Sequence, residues 1–204
     1  CRGDDEITLS RQHVLSLLSL SLLGLIPPEN IKNTNRHPLI VNLFYRSRFH
    51  QDTNILKMQK IKFILEYFIQ TLKEDTEDLL TENITYMRVS SASALGEDGC
   101  WQGECRGMGG VDIDSTGKIE DAMDTLRVDF ANKYIGGGTL HSGAVQEEIL
   151  FLITPECIGA MLLCEKLGER DALWIVGTRQ YSEYSGYGNT LRYIGPHIPL
   201  VSAM

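Results

Sequence analysis

Apolar and polar positions fall into helix-like spacing in the first part of this chain and into short runs between glycine-rich turns in the rest. Residues 14–26 are rich in leucine but broken by Ser16, Ser19, Ser21 and Gly24, which predicts a packed helix ending at Pro27-Pro28. The run falls short of the roughly 20 consecutive apolar residues a membrane-spanning helix needs. Residues 30–38 are polar and turn-like, and residues 39–44 form a short apolar run compatible with strand or helix. From Asn54 onward Met58, Ile61, Ile64 or Leu65, Phe68 and Leu72 recur at three- and four-residue intervals, the period of an amphipathic helix. Lys57, Lys60 and Lys62 near its start, with Glu74, Asp75, Glu77 and Asp78 beyond its end, run against the helix dipole. These helices predict a helix-helix scaffold over residues 1–80.

Beyond residue 80 the pattern shifts. Residues 84–89 predict a strand, and residues 95–110 are glycine-rich and contain Cys100 and Cys105, a pair without the matching second pair of a zinc site. Residues 113–118 read as a polar turn that lacks the alternating oxygen ligands and closing Glu of a calcium loop. Residues 155–167 predict a helix with Ile158, Met161, Leu162 and Leu167 inward, and residues 172–177 a nearly continuous apolar strand buried on both faces. A helix followed by a buried strand predicts an α/β arrangement over residues 81–204.

Composition narrows the function classes. Of 204 residues, 43% are hydrophobic and 23% charged, which is globular rather than disordered. With 19 Lys plus Arg against 27 Asp plus Glu, the net charge of -8 argues against a general nucleic-acid-binding surface. Five scattered cysteines favour a reducing compartment. The acidic start, Cys1 to Glu6, has no initiating Met and no signal-peptide character, so the chain reads as cut from a longer protein.

Candidate chemistry concentrates in residues 128–148. Gly136-Gly137-Gly138 removes side-chain bulk and permits backbone angles that expose N–H groups to an anion, although neither a dinucleotide fingerprint nor a P-loop is present. Glu147 and Glu148 follow and precede an apolar run, so they stand at a predicted helix start. Two readings remain open there: helix capping, or acid/base work by one enclosed carboxyl group with its neighbour orienting a hydroxyl. Asp129 and Asn132 are equally compatible with capping a turn.

The order of these segments resembles the poly(ADP-ribose) glycohydrolases. The resemblance rests on Val128-Asp129-Phe130-Ala131-Asn132, the triple glycine, Gln146-Glu147-Glu148 and the later 180–187 stretch that ends in Tyr187. It is strongest from about Ile119 to Tyr193, with a weaker echo in the N-terminal helices. It implies an α/β, macrodomain-like mixed sheet with flanking helices, preceded by a helical accessory region over residues 1–80. The implied activity is a glycosidase that hydrolyses ribose-ribose bonds of poly(ADP-ribose) and releases ADP-ribose, without metal or cofactor. Glu148 is then the principal acid/base, Glu147 orients ribose hydroxyls and Asp129 supports both. Asn132, Gln146 and Tyr187 match substrate-positioning residues, Ile119 and Glu120 the pair that meets adenine, and Gly136, Gly137 and Gly138 the backbone beside the diphosphate. Implied partners are poly(ADP-ribose) and ADP-ribosylated proteins, in nucleus or cytoplasm and in the DNA damage response, with no sequence-specific nucleic acid and no membrane. Residues 195–204 do not supply the family's later glycine-rich diphosphate loop or its remaining core strands, so a partial domain is expected. An inactive ADP-ribose-binding module and a non-functional partial domain are the alternatives.

Overall fold

The computed structural model describes residues 5–27, 39–44, 51–73, 81–90, 110–122 and 125–198. A first strand, β1 (Glu6–Ser10), runs directly into helix α1 (Arg11–Leu22), and the Ser10 hydroxyl caps it by accepting the His13 N–H. The helix stops before the prolines expected to end it. Gly24 adopts φ +68° and the Leu25 N–H returns to the Leu20 carbonyl at 2.9 Å, a left-handed glycine terminus. Residues 39–44 contain a 3-10 turn, Ile40–Leu43. The turn-like 30–38 stretch, and residues 91–109 with Cys100 and Cys105, lie outside the described residues.

Helix α2 (Gln51–Lys73) forms where the spacing predicts it but turns a different face inward. Leu56, Lys60, Phe63, Ile64, Tyr67, Phe68 and Thr71 are buried, whereas Met58 and Leu72, expected on the apolar face, are 55% and 74% exposed. The inward face carries Lys60 and Thr71, whose hydrogen bonds are made inside the protein, and a purely apolar pattern passes over them. The Thr71 hydroxyl, for instance, donates to the Tyr67 carbonyl at 2.7 Å.

Strand β2 (Asn83–Ser90) is the centre of a three-stranded sheet, flanked antiparallel by β1 and by β3 (Asp171–Val176). Tyr86 faces Ile7 on one side and Ile175 on the other. The prediction that the β3 segment is buried on both faces is not met: Trp174 and Val176 are 44% and 55% exposed, alternating with partly buried neighbours. Among the described residues β3 pairs along one edge, with β2.

Two helices complete the layer: α3 (Gln146–Ile153) and α4 (Ile158–Leu163), separated by a 3-10 turn at Pro155–Cys157. The single helix expected over 155–167 is therefore shorter. Cys164 is extended, and Leu167 donates its N–H to the Lys133 carbonyl at 2.7 Å, drawing the chain away from the helix axis. Ile158, Met161 and Leu162 are buried as expected. A hairpin of β4 (Ser182–Ser185) and β5 (Arg192–Pro196) packs beside α2, where the Tyr193 hydroxyl donates to Glu66 at 2.5 Å.

One buried cluster joins α1, α2, β2, α3, α4 and Tyr181. Through it runs a charged clasp. The fully buried Arg11 pairs with the fully buried Glu156, Tyr181 donates its hydroxyl to the same carboxylate at 2.8 Å, and the Arg179 N–H donates to its other oxygen at 2.9 Å. Such a pair specifies the docking of α1, with only the buried Arg11 Nε left without a hydrogen-bond partner among the described residues; stripped of one partner it becomes a buried unpaired charge.

Candidate active site

The triple glycine folds into a tight loop over the start of α3. Gly136 and Gly137 adopt φ +78° and +48°, which only glycine takes without strain. A Cβ on Gly137 would stand 2.5 Å from a Glu148 carboxylate oxygen and 2.7 Å from one of Glu147. The missing side chains therefore make room for the two carboxylates.

Both carboxylates are fixed by backbone. Glu147 accepts the Gly136 N–H at 2.7 Å on one oxygen and the Asn132 N–H at 3.1 Å on the other. Glu148 accepts the Gly138 N–H at 2.8 Å and, with its second oxygen, the Val145 N–H at 2.8 Å. That last bond is the helix cap that sequence left open, so Glu148 caps α3 and faces the loop at once. Consecutive helical residues ordinarily point about 100° apart. Here both are buried, at 4% and 6% exposure, because the loop wraps the helix end.

The neighbouring segment is zipped onto the same turn. Gln146 accepts the Phe130 N–H at 2.9 Å and donates to the Val128 carbonyl at 3.2 Å, so its side-chain amide serves as a substitute strand for residues 128–130. Its own backbone N–H, an unpaired helix-start donor, goes to the Tyr187 hydroxyl at 3.2 Å, while the Tyr187 ring remains 58% exposed. Asn132 spends its side-chain oxygen on the Tyr134 N–H. Asp129 keeps one buried oxygen with no hydrogen-bond partner among the described residues.

Enclosure and like charge perturb these groups. Burial pushes Glu147 up to about 7, with Asp129 and Glu148 adding to the rise against the pull of its two backbone donors. Asp129 rises to about 6, through burial and then the Glu148 charge. Glu147 thus carries a proton for much of the time near neutral pH and can donate as well as accept a hydrogen bond.

Of the residues expected from sequence, Asp129, Asn132, Gly136, Gly137, Gly138, Gln146, Glu147, Glu148 and Tyr187 come together around the start of α3. Ile119 and Glu120 sit on a separate 3-10 turn, Ile119–Asp121, where Glu120 is buried and accepts the Tyr184 hydroxyl at 3.3 Å. The glycines differ from expectation in one respect. Their N–H groups already have partners: Glu147 for Gly136, the Tyr134 carbonyl for Gly137 and Glu148 for Gly138. In this arrangement the loop acts by seating the carboxylates, and its N–H groups are not free for a diphosphate. Lys60, beneath the loop, and Tyr184 were not identified from sequence. A lysine in step with Leu56, Phe63, Ile64 and Tyr67 on one helix face is the signal that marks Lys60.

A helical region followed by an α/β layer, with a glycine loop seated on an adjacent carboxylate pair, defines a mixed α/β protein with an enclosed acidic site. Comparison with known proteins gives the family. Residues 99–202 match the family described as "Poly (ADP-ribose) glycohydrolase (PARG), Macro domain fold" and residues 2–88 its "helical domain". The chain belongs to the poly(ADP-ribose) glycohydrolase family. Similar relatives include "Poly(ADP-ribose) glycohydrolase 1" of Caenorhabditis elegans, 36% identical over 67% of this chain and 17% of the relative. "Poly(ADP-ribose) glycohydrolase 1" of Arabidopsis thaliana is 32% identical over 94% of this chain and 34% of its own length. "Poly(ADP-ribose) glycohydrolase 2" of C. elegans is 33% identical over 92% of this chain and 39% of its own. The chain thus spans well under half the length of these relatives.

Proposed function

We propose that this chain carries a glycosidase site that hydrolyses ribose-ribose bonds in poly(ADP-ribose) and releases ADP-ribose. The observation that carries the reading is the pair Glu147 and Glu148, buried and adjacent, with all four carboxylate oxygens fixed by backbone N–H groups. Family membership and relatives named as glycohydrolases support it.

Cleaving a glycosidic bond leaves positive charge at the anomeric carbon and negative charge on the departing oxygen. A carboxyl group that donates a proton to that oxygen, and then accepts one from the entering water, serves both steps. Glu148 takes this role in our reading: each of its oxygens accepts one backbone N–H, which leaves lone pairs to face a substrate. Glu147, its carboxyl pushed up to about 7 by burial, orients ribose hydroxyls as donor or acceptor. Asp129 adds negative potential that favours the cationic transition state. Gln146 and Asn132 set the wall of the site, Tyr187 covers its mouth, and Ile119 with Glu120 offers a second contact for the adenine end. Poly(ADP-ribose) and ADP-ribosylated proteins are the partners this reading implies.

The test is release of ADP-ribose from the polymer by this chain and by Glu148→Gln. Loss of one positioned acid/base group is expected to cost on the order of 10²- to 10⁴-fold in rate. Equal rates in the two proteins would exclude the Glu148 role. Calorimetric binding of ADP-ribose without release by either would replace the enzyme with an ADP-ribose-binding module.

A further inference from the structure

Lys60 is not among the residues on which the resemblance was drawn, and it has no role in the chemistry above. It is fully buried in the middle of α2, and its Nζ reaches four carbonyls of one loop: Gly138 at 3.0 Å, Thr139 at 2.8 Å, His141 at 3.0 Å, and Gly143. An ammonium has three N–H donors, so four converging carbonyls share them. Carbonyls turned together in this way create a negative potential that a buried cation fills and an apolar side chain does not.

The opposite side of the same loop meets the carboxylates. Gly138 donates its N–H to Glu148, and a Cβ on Gly143 would stand 2.5 Å from that same Glu148 oxygen. The Gly143 N–H also closes on the Gly138 carbonyl at 3.1 Å. Gly138 is therefore held at both ends: its carbonyl accepts from Lys60 and from the His141 and Gly143 N–H groups, and its own N–H goes to Glu148. We propose that Lys60 is a positioning residue for the carboxylate pair, its ammonium gathering the carbonyls of residues 138–143 so that the Gly138 N–H stays aimed at Glu148.

Two charged groups act on the ammonium in opposite senses. Burial draws its pKa down to about 7, the Glu148 carboxylate on α3 raises it and Lys57 on its own helix lowers it. His141 stands on the loop itself and contributes its backbone carbonyl. The helical region thereby supplies a part of the site: the order of the loop depends on a side chain from α2. The catalytic consequence rests on the glycohydrolase reading, whereas the structural premise does not.

The experiment compares Lys60→Met and Lys60→Arg with the unaltered chain at about pH 6, where the ammonium is protonated, and at a temperature where melting curves show all three folded. The first readout is the Gly138 amide by heteronuclear NMR. In Lys60→Met it is expected to move upfield and to exchange at least about tenfold faster, as a loosened charge-assisted hydrogen bond does, with Lys60→Arg in between. The second readout is ADP-ribose release. Lys60→Met is expected to lower kcat by about 10²-fold with KM changed only a few-fold, and Lys60→Arg to recover part of the loss. A folded Lys60→Met protein with an unchanged Gly138 amide overturns the proposal. If the unaltered chain releases no ADP-ribose, the functional reading fails while the amide still decides the role of Lys60. Should Lys60→Met fail to fold, couplings across the hydrogen bonds from Lys60 Nζ to the carbonyl carbons of 138, 139, 141 and 143 decide it in the unaltered protein. Their presence is expected, and their absence refutes the grip.

Discussion

Replacing Gly137 with alanine tests whether the glycine loop exists to seat the carboxylates. At φ +48° a non-glycine residue costs about 1–2 kcal/mol in backbone strain. The new methyl would also press on Glu148 at 2.5 Å and Glu147 at 2.7 Å, two side chains tied down by four backbone hydrogen bonds. Hydrogen bonds to charged groups contribute about 1.5–3 kcal/mol each. Displacing one carboxylate enough to lose one such bond brings the expected total to about 2.5–5 kcal/mol for Gly137→Ala. Gly24→Ala is the control. Gly24 has a similar φ of +68°, but its Cβ would meet Val41 at an ordinary 3.4 Å, far from the site in sequence, so strain alone of about 1–2 kcal/mol is expected. Urea unfolding measures the difference between the two, and polymer hydrolysis measures the accompanying loss, about 10²-fold for a displacement near 1 Å. If Gly137→Ala costs no more than Gly24→Ala and leaves kcat intact, the reasoning from loop to carboxylates is wrong.

Further outcomes follow from the same geometry. The folded pKa of Glu147, about 7, lies above its ordinary 4.5, so the folded state binds the proton more tightly, and stability falls as pH rises from 4.5 to 7. The fall attributable to this group is about 3 kcal/mol, and Glu147→Gln should remove it; parallel stability-versus-pH curves for the two proteins would contradict this. Arg11→Met should cost about 3–5 kcal/mol in thermal or urea unfolding, because it leaves Glu156 buried without its partner, and a loss under about 1 kcal/mol would show that the clasp is not a paired charge. Tyr187→Phe removes the acceptor for the Gln146 N–H while keeping the ring, so KM for the polymer should change more than stability, which should move by about 1 kcal/mol or less.

Sequence and structure agree best where a local rule is strong. The start of α3 is legible because two acidic residues precede an apolar run, and the bond from Val145 N–H to Glu148 makes that rule physical. The strand over 84–89 is legible from its β-branched and apolar residues. Polar groups satisfied by distant parts of the chain are harder to read. Lys60 breaks the apolar face of α2, and only the carbonyls of a loop 78 to 83 residues away explain its burial. Arg11 and Glu156 lie 145 residues apart, and neither has a neighbour in sequence that predicts the other. The β1 strand is five residues long and takes its stability from pairing with β2, which no local pattern reveals. For the site, sequence order identifies the residues that meet around α3. It does not show that the glycine N–H groups are consumed by the two carboxylates, since that depends on how the loop closes.

The most direct test of the central claim is the rate of ADP-ribose release from poly(ADP-ribose) by this chain, measured beside Glu148→Gln with both proteins shown to be folded. The account predicts release by the first and a loss on the order of 10²-fold or more by the second. Release at the same rate from both would contradict it.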